Sequence, residues 1–354
     1  MEGIYLFRKR FVLLASSLFL MIAGCSNVDK QAGEGDKLSL KQEDKVKTAQ
    51  AAAGETKANN EITVGDQTFH VIMLNKEIWE YAKAVENDSA AVKKEVYREK
   101  VVTPLRKQVA EADAHIYHDY FSFLSPNTNI TKLKENAKVL LDDEERILEL
   151  VEQGIKDSAQ KMAGEDKTII ILPVNPDERF VIEKMGGLSG VAVSEDTVVL
   201  NLDPSFEEEG LKYLVAHEYH HTLQTENRAD KAPSILEYFL LEGKADAFAN
   251  SIYPDYKVPW TEPLSERLQE KVFDELRENG NDWDTNRYYE FFNGYSSKGI
   301  PMWSNYKVGF QVVQSYVRNN PDSSVAEWTA LLPKEIILGS DYKDVYEELE
   351  AAEE

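Results

Sequence analysis

Three of the chain's six histidines stand within five positions, at His217, His220 and His221, with Glu218 among them. This H-E-Y-H-H run constrains the fold more than any other feature, because its spacing has chemical meaning only on a helix. Asp203 and Pro204 suit a helix cap and first turn, and Glu207, Glu208 and Glu209 favour a helix N-terminus, so a helix is expected from about Ser205 to Thr225. On it Leu214, His217, Glu218, His221 and Thr225 share one face, since residues three and four apart lie together. Two imidazoles one turn apart can both reach one Zn²⁺, at Zn–N distances of about 2.0–2.1 Å. Glu218 then stands beside the metal rather than on it, where it can take a proton from activated water and pass it to a leaving amine. His220 points elsewhere on the helix and reads as structural.

A catalytic zinc wants three protein ligands and one open position. No histidine follows His221, so the third ligand is a carboxylate or lies upstream. The segment S-I-L-E-Y-F-L-L-E-G-K-A-D-A-F-A-N begins with a capping box, Ser234 with Glu237, preceded by Pro233. On the helix so begun, Ile235, Tyr238, Glu242, Asp246 and Ala249 share a face that is otherwise apolar. Two acids buried there are costly unless something pairs them. A zinc ion with its histidines would do so, with Glu242 as third ligand and Asp246 behind it, accepting the N–H of His217 or His221 and fixing its tautomer. Glu237 is the alternative to Glu242. His70, His115 and His118 read as surface or core histidines; H-I-Y-H could hold a second metal, but nothing else in the sequence supports one.

The surroundings suggest an α+β fold that is mostly helical. Ile62 to Leu74 looks like a hairpin turned at G-D, and long helical patterns follow from about Glu77 to Phe123, with breaks, and from Thr131 to Met162. Short β-rich runs come next, T-I-I-I-L-P-V, G-V-A-V and T-V-V-L-N-L, so a small sheet directly precedes the H-E-x-x-H helix. Beyond it the chain is helical again near 234–252, 262–279, 303–319 and 341–352.

The spacing H-E-x-x-H, a glutamate 21 residues after the second histidine, and an aspartate four further on resembles the gluzincin pattern of thermolysin-like metallopeptidases. More narrowly, about Thr168 to Asn319 resembles the YjaZ-like family of predicted zinc-dependent proteases, in which a short β region leads into A-H-E-x-x-H and an E-G-x-A-[DE] helix follows. The resemblance implies a zincin-like fold, Zn²⁺ as cofactor, a protein or peptide substrate, and site residues at His217, Glu218, His221, Glu242 and Asp246. The family's later Y-x-x-G element looks like Tyr306 to Gly309. Thermolysin-like enzymes stabilise the oxyanion with a tyrosine and a histidine; with no downstream histidine here, a tyrosine or arginine must serve. Tyr306 is the first candidate and Tyr295 the second.

The N-terminus is of another kind. Arg8, Lys9 and Arg10 precede an apolar run of 13 residues, Phe11 to Ala23, too short for a membrane span of about 20. Ile22-Ala23-Gly24-Cys25 resembles a bacterial lipobox, and Cys25 is the only cysteine. The expected organisation is a lipoprotein signal peptide over 1–24, lipidated Cys25 with a disordered tether over 25–60, and a metallopeptidase domain over 61–354. That domain has a helical part at about 76–163 and a zincin-like core at about 167–320. A formal charge of -23 disfavours nucleic acid as partner. The expectation is a lipid-anchored zinc metallopeptidase on the extracytoplasmic face of a bacterial membrane. Alternatives are a non-enzymatic lipoprotein with a residual metal site and a zinc amidase acting on cell-wall material. Oligomeric state leaves no mark in the sequence.

Overall fold

The run Thr168 to Leu172 is buried along its whole length, as a strand must be when both faces of its sheet are covered. In the computed structural model, which describes residues 60–88, 92–116, 129–226, 233–282 and 284–353, it belongs to β3 (Lys167–Pro173). The expected signal segment, Cys25 and nearly all of the tether lie outside the described residues, as does His118. β3 is the middle of a sheet ordered β1-β2-β3-β5-β4, with β1 Glu61–Val64, β2 Gln67–Met73, β4 Leu188–Ala192 and β5 Thr197–Leu202. β2, β3 and β5 are parallel, and β1 and β4 pair antiparallel at the two edges. β1 and β2 are the expected hairpin, with Gly65 at φ 62° supplying the left-handed turn.

Period-two alternation divides the core between the two faces of this sheet. On one face lie α1 (Asn75–Asn87), α2 (Lys93–Tyr97), α3 (Thr103–Glu111) and α4 (Ile130–Asp142), packed on Ile170, Leu172, Val191 and Val199. On the other, Ile169, Ile171, Val198 and Leu200 meet α5 (Glu144–Lys161) and, beyond the short α6 (Arg179–Lys184), α7 (Glu208–Glu226) and α8 (Ile235–Ile252). Helices α9 (Glu266–Asn279), α10 (Thr285–Asn293), α11 (Ser304–Asn319), α12 (Val325–Ala330), α13 (Pro333–Leu338) and α14 (Lys343–Glu353) complete the α+β, mostly helical architecture. Among the described residues no helix is long and apolar enough to cross a membrane.

Several boundaries differ from the sequence expectation: the helix expected from 262 starts at Glu266, α6, α10, α12 and α13 lie outside the segments expected to be helical, and three more differences fall in 77–162 and at the H-E-x-x-H helix. The pattern over 131–162 is two helices, broken at Asp143, a residue of low helix propensity, which leaves helical geometry at φ -108° while its carbonyl accepts the N–H of Ile147 and its carboxylate pairs with Arg146. The region from Glu77 is helical to Asn87 and again from Lys93 to Glu111, with a widened turn over Arg98–Val102, while 89–91 and 117–128 lie outside the described residues. The H-E-x-x-H helix starts at Glu208 rather than Ser205. Asp203 Oδ1 accepts from the Ser205 N–H and hydroxyl, and Oδ2 from Asn136, so this aspartate closes a tight turn ahead of the helix.

α7 is enclosed on every side: from Gly210 to Gln224 all residues except Lys212 are buried. α8 is equally enclosed, because α11 packs on it through glycines. A Cβ on Gly243 would stand 2.2 Å from the Gly309 carbonyl carbon, and one on Gly309 would stand 1.9 Å from the Phe239 carbonyl oxygen. The backbones touch there, so neither position accepts a side chain without moving a helix. Gly243→Ala or Gly309→Ala is therefore expected to destabilise the fold by about 3 kcal/mol, although alanine is the better helix former by about 1 kcal/mol. The thermal midpoint reads this, and an unchanged or raised midpoint for both variants would refute the close crossing.

Candidate metal centre

Two helices with almost no polar face must still carry several ionisable groups inward; His220 and Lys244 turn to the Thr329–Leu331 segment, and the others converge at one point. His217 and His221 rise from successive turns of α7, and Glu242 meets them from the middle of α8. His217 Nε2 lies 3.1 Å from His221 Nε2, and Glu242 Oε2 lies 3.2 Å from His221 Nε2 and 3.4 Å from His217 Nε2. All three residues are buried. For a tetrahedral zinc with bonds of about 2.0–2.1 Å, neighbouring ligand atoms stand about 3.3 Å apart. The triangle formed by these three atoms has that size.

The outer contacts fix how the donors are presented. Asp246 Oδ1 lies 3.1 Å from His217 Nδ1, so the imidazole donates there and turns the Nε2 lone pair toward the triangle. Gln224 Nε2 donates to the Leu241 carbonyl and lies 3.0 Å from His220 Nδ1 and 3.4 Å from His221 Nδ1. Burial alone would raise the Glu242 carboxyl, but the imidazoles of His221 and His217 more than offset it and bring its pKa down to about 2. The carboxylate is ionised, as a metal ligand must be.

Glu218 sits next to the triangle and outside it. Burial is the main influence on it and raises its carboxyl above the usual range, against the opposing pull of His217 and His221. It rests on Gly190 of β4, where a Cβ would stand 2.6 Å from Glu218 Cγ, and it accepts the Ala192 N–H. Its Oε2 is buried without a hydrogen-bond partner among the described residues, as is Asp246 Oδ2. Both the donor set and this unpaired oxygen beside it fit a zinc ion with one open coordination position.

A cavity of about 40 Å³ opens on this point, bounded by Leu188, Gly190, His217, Glu218, Trp260 and Tyr306. That is room for a few water molecules. The Tyr306 ring lies 6.5 Å from that of His217. Burial, with the charges of Glu242, Asp246 and Glu218, pushes its hydroxyl well above the ordinary tyrosine range, so it keeps its proton and can donate. Tyr295 is not part of the site. It is 42% exposed in the turn between α10 and α11, bridged to Ile300, with the Lys298 ammonium over its ring. Its N-G-Y context belongs to the turn, where Gly294 adopts φ 78°.

The remaining candidates fall elsewhere. His220 is buried with Nε2 2.9 Å from Thr329 Oγ1 and its ring stacked on Phe248. Glu237 is occupied in its capping box with Ser234. His115 is exposed against Asp196, and half-buried His70 lies 3.8 Å from Glu61. Sequence reasoning missed Tyr213 and Trp260, which donate to Asp246 at 2.9 Å and 3.2 Å, and Gly190. Tyr213 stands one turn before His217 and was within reach of the helical spacing; Trp260 lies in a loop and carried no signal.

Comparison with known proteins places this geometry in a family. Residues 147–338, from α5 through α13, match the family described as predicted Zn-dependent protease (DUF2268). The match extends beyond both ends of the stretch singled out by motif. No curated protein and no solved structure gives a significant match. With more than half of its length aligned, and with H-E-x-x-H and the E-G-x-A-D helix inside the aligned part, the chain belongs to this family of predicted Zn-dependent proteases.

Proposed function

We propose that the protein is a zinc metallopeptidase that hydrolyses peptide bonds, held on the extracytoplasmic face of the membrane by a lipid on Cys25. The observation that carries the catalytic reading is the triangle of His217, His221 and Glu242 donor atoms with Glu218 beside it. Zinc bound there supplies Lewis acidity toward a carbonyl oxygen and lowers the pKa of water to about 7. Glu218, with a raised carboxyl pKa and one unbonded oxygen facing the site, takes the proton of the attacking water and returns it to the leaving amine. Tyr306 keeps its proton and donates to the carbonyl oxygen as negative charge develops on it.

A peptide rather than another amide is favoured by β4. Val193 N–H bonds Thr197 O and Asp203 N–H bonds Gly187 O, so the odd-numbered residues of this edge strand pair with β5. The even-numbered ones turn their N–H and C=O groups to the free edge, and Ala192 N–H reaches Glu218 in this way. Leu188 and Gly190 do the same at the rim of the cavity, where an extended main chain can pair with them. A metal held for structure alone needs no unpaired base and closes its fourth position, which speaks against a non-enzymatic role.

The chain from Ser26 onward is expected to bind one zinc per molecule in equilibrium dialysis. Glu242→Ala should weaken binding by about 100-fold or more, and full retention by this variant would reassign the third ligand. On an unfolded protein substrate, Glu218→Gln should bind zinc and show no measurable hydrolysis. Tyr306→Phe should keep zinc and lose roughly 10²–10³-fold in kcat. Undiminished hydrolysis by Glu218→Gln would refute the proposed base. In the full chain expressed in bacteria, Cys25→Ser should abolish fatty-acid labelling, and labelling that persists would remove the anchor.

A further inference from the structure

Asp246 Oδ1 is the acceptor of three hydrogen bonds, and only one of the donors is a proposed ligand. His217 Nδ1 lies at 3.1 Å, the Tyr213 hydroxyl at 2.9 Å and the Trp260 indole N–H at 3.2 Å. Asp246 itself has no solvent exposure, so these donors replace water for a fully buried carboxylate. Tyr213 reaches it from α7, four residues before His217. Trp260 reaches it from outside the helical pair, on the short turn Pro259–Thr261.

That turn is tied down on its far side. Lys307, one residue after Tyr306 on α11, donates to the carbonyl oxygens of Pro259 (2.7 Å) and Glu262 (3.1 Å). The Trp260 ring meets Trp303 edge-on, with centroids 6.0 Å apart, and bounds the cavity that holds Glu218 and Tyr306. Trp303 has φ 59°, a left-handed geometry that a bulky residue adopts only when its surroundings hold it there. One edge of the Trp260 indole thus holds the carboxylate that orients His217, while the rest of the ring is wall to the space a substrate must enter.

We propose that Trp260, with Tyr213, is a positioning residue for the metal centre. The two hydrogen bonds keep Asp246 aimed at His217 Nδ1, and through it keep the His217 Nε2 lone pair on the metal; Trp260 does this from the wall of the substrate cavity. The inference rests on the reading of His217, His221 and Glu242 as a zinc site. Partners of this outer kind are typically worth about 10–100-fold in metal affinity.

The test is zinc affinity by competition with a chromophoric chelator, together with the thermal midpoint of the zinc-free protein. Trp260→Phe keeps an aromatic wall and removes only the N–H. It is expected to weaken zinc binding by about tenfold while the zinc-free midpoint stays near that of the unmutated chain. Tyr213→Phe should act in the same direction. In an Asp246→Asn background, Trp260→Phe should cost little further affinity, because the two act through one carboxylate. A merely structural role predicts the reverse, a lowered zinc-free midpoint with zinc affinity unchanged. If the unmutated chain binds one zinc and Trp260→Phe binds it within twofold as tightly, or loses as much again in the Asp246→Asn background, the inference is overturned alone. If the unmutated chain binds no zinc, the metal reading falls and this inference with it.

Discussion

Glu242 and Asp246 are carboxylates with essentially no access to water, and the architecture around them follows from what it takes to keep them there. An isolated ionised group in such a place is prohibitively costly, so it must be surrounded by donors or by positive charge. Asp246 Oδ1 accepts from three donors, Tyr213 and His217 one turn apart on α7 and Trp260 from the loop after α8. Glu242 Oε2 has imidazole nitrogens against it, at 3.2 Å from His221 and 3.4 Å from His217. Its compensation depends on α7 and α8 being held in one register, and hence on whatever holds α8.

That support comes from α11. The contact of Gly243 with Gly309 brings α11 against α8 at backbone distance and sets Tyr306, three residues before Gly309, over the same point. On the other side, Gly190 lets Glu218 lie against the edge strand. The glycines in the E-G-x-A-D and Y-x-x-G elements are therefore packing devices, and the acid or tyrosine beside each is delivered to its place by the close approach the glycine allows. A five-stranded sheet with helices on both faces provides the rigid frame, since β4 is fixed by β5 along one edge and leaves the other for the site.

How much of this was legible in the sequence depended on how local the information was. The H-E-Y-H-H spacing, the Ser234 capping box and the burial of Glu242 and Asp246 on an apolar helix face are properties of single helices, and helical periodicity alone exposed them. The β-rich runs were legible because their residues are mostly apolar and β-branched, although their order across the sheet was not, since β5 lies between β3 and β4 and no local pattern records that. The late start of α7 turned on hydrogen bonds accepted by the Asp203 side chain, and the break at Asp143 on the backbone geometry of one residue, both at a scale that helical periodicity does not register. Trp260 was illegible for a different reason. It acts through an indole N–H across 14 residues of chain, in a loop with no period, and nothing in its neighbours distinguishes it from a packing tryptophan. Tyr295 misled because nothing local in N-G-Y-S-S tells which way its turn faces.

The electrostatics of the enclosed point explain why a dication suits it better than protons do. Three carboxylates, Glu218, Glu242 and Asp246, share the volume with two imidazoles. Burial opposes a charge on His217, yet the charges of Asp246, Glu242 and Glu218 outweigh it and raise its pKa well above the ordinary histidine range, so without a metal the acids draw a proton onto the ring. A dication supplies the same compensation to Glu242 while leaving both imidazoles neutral, as ligands must be, so protons and metal compete for the same nitrogens. Of the three acids, Glu242 is matched by the imidazoles and Asp246 by its three donors. Glu218 has its pKa raised by burial and, like Asp246, an oxygen without a partner among the described residues; next to the imidazoles this suits it to the proton exchange proposed for it.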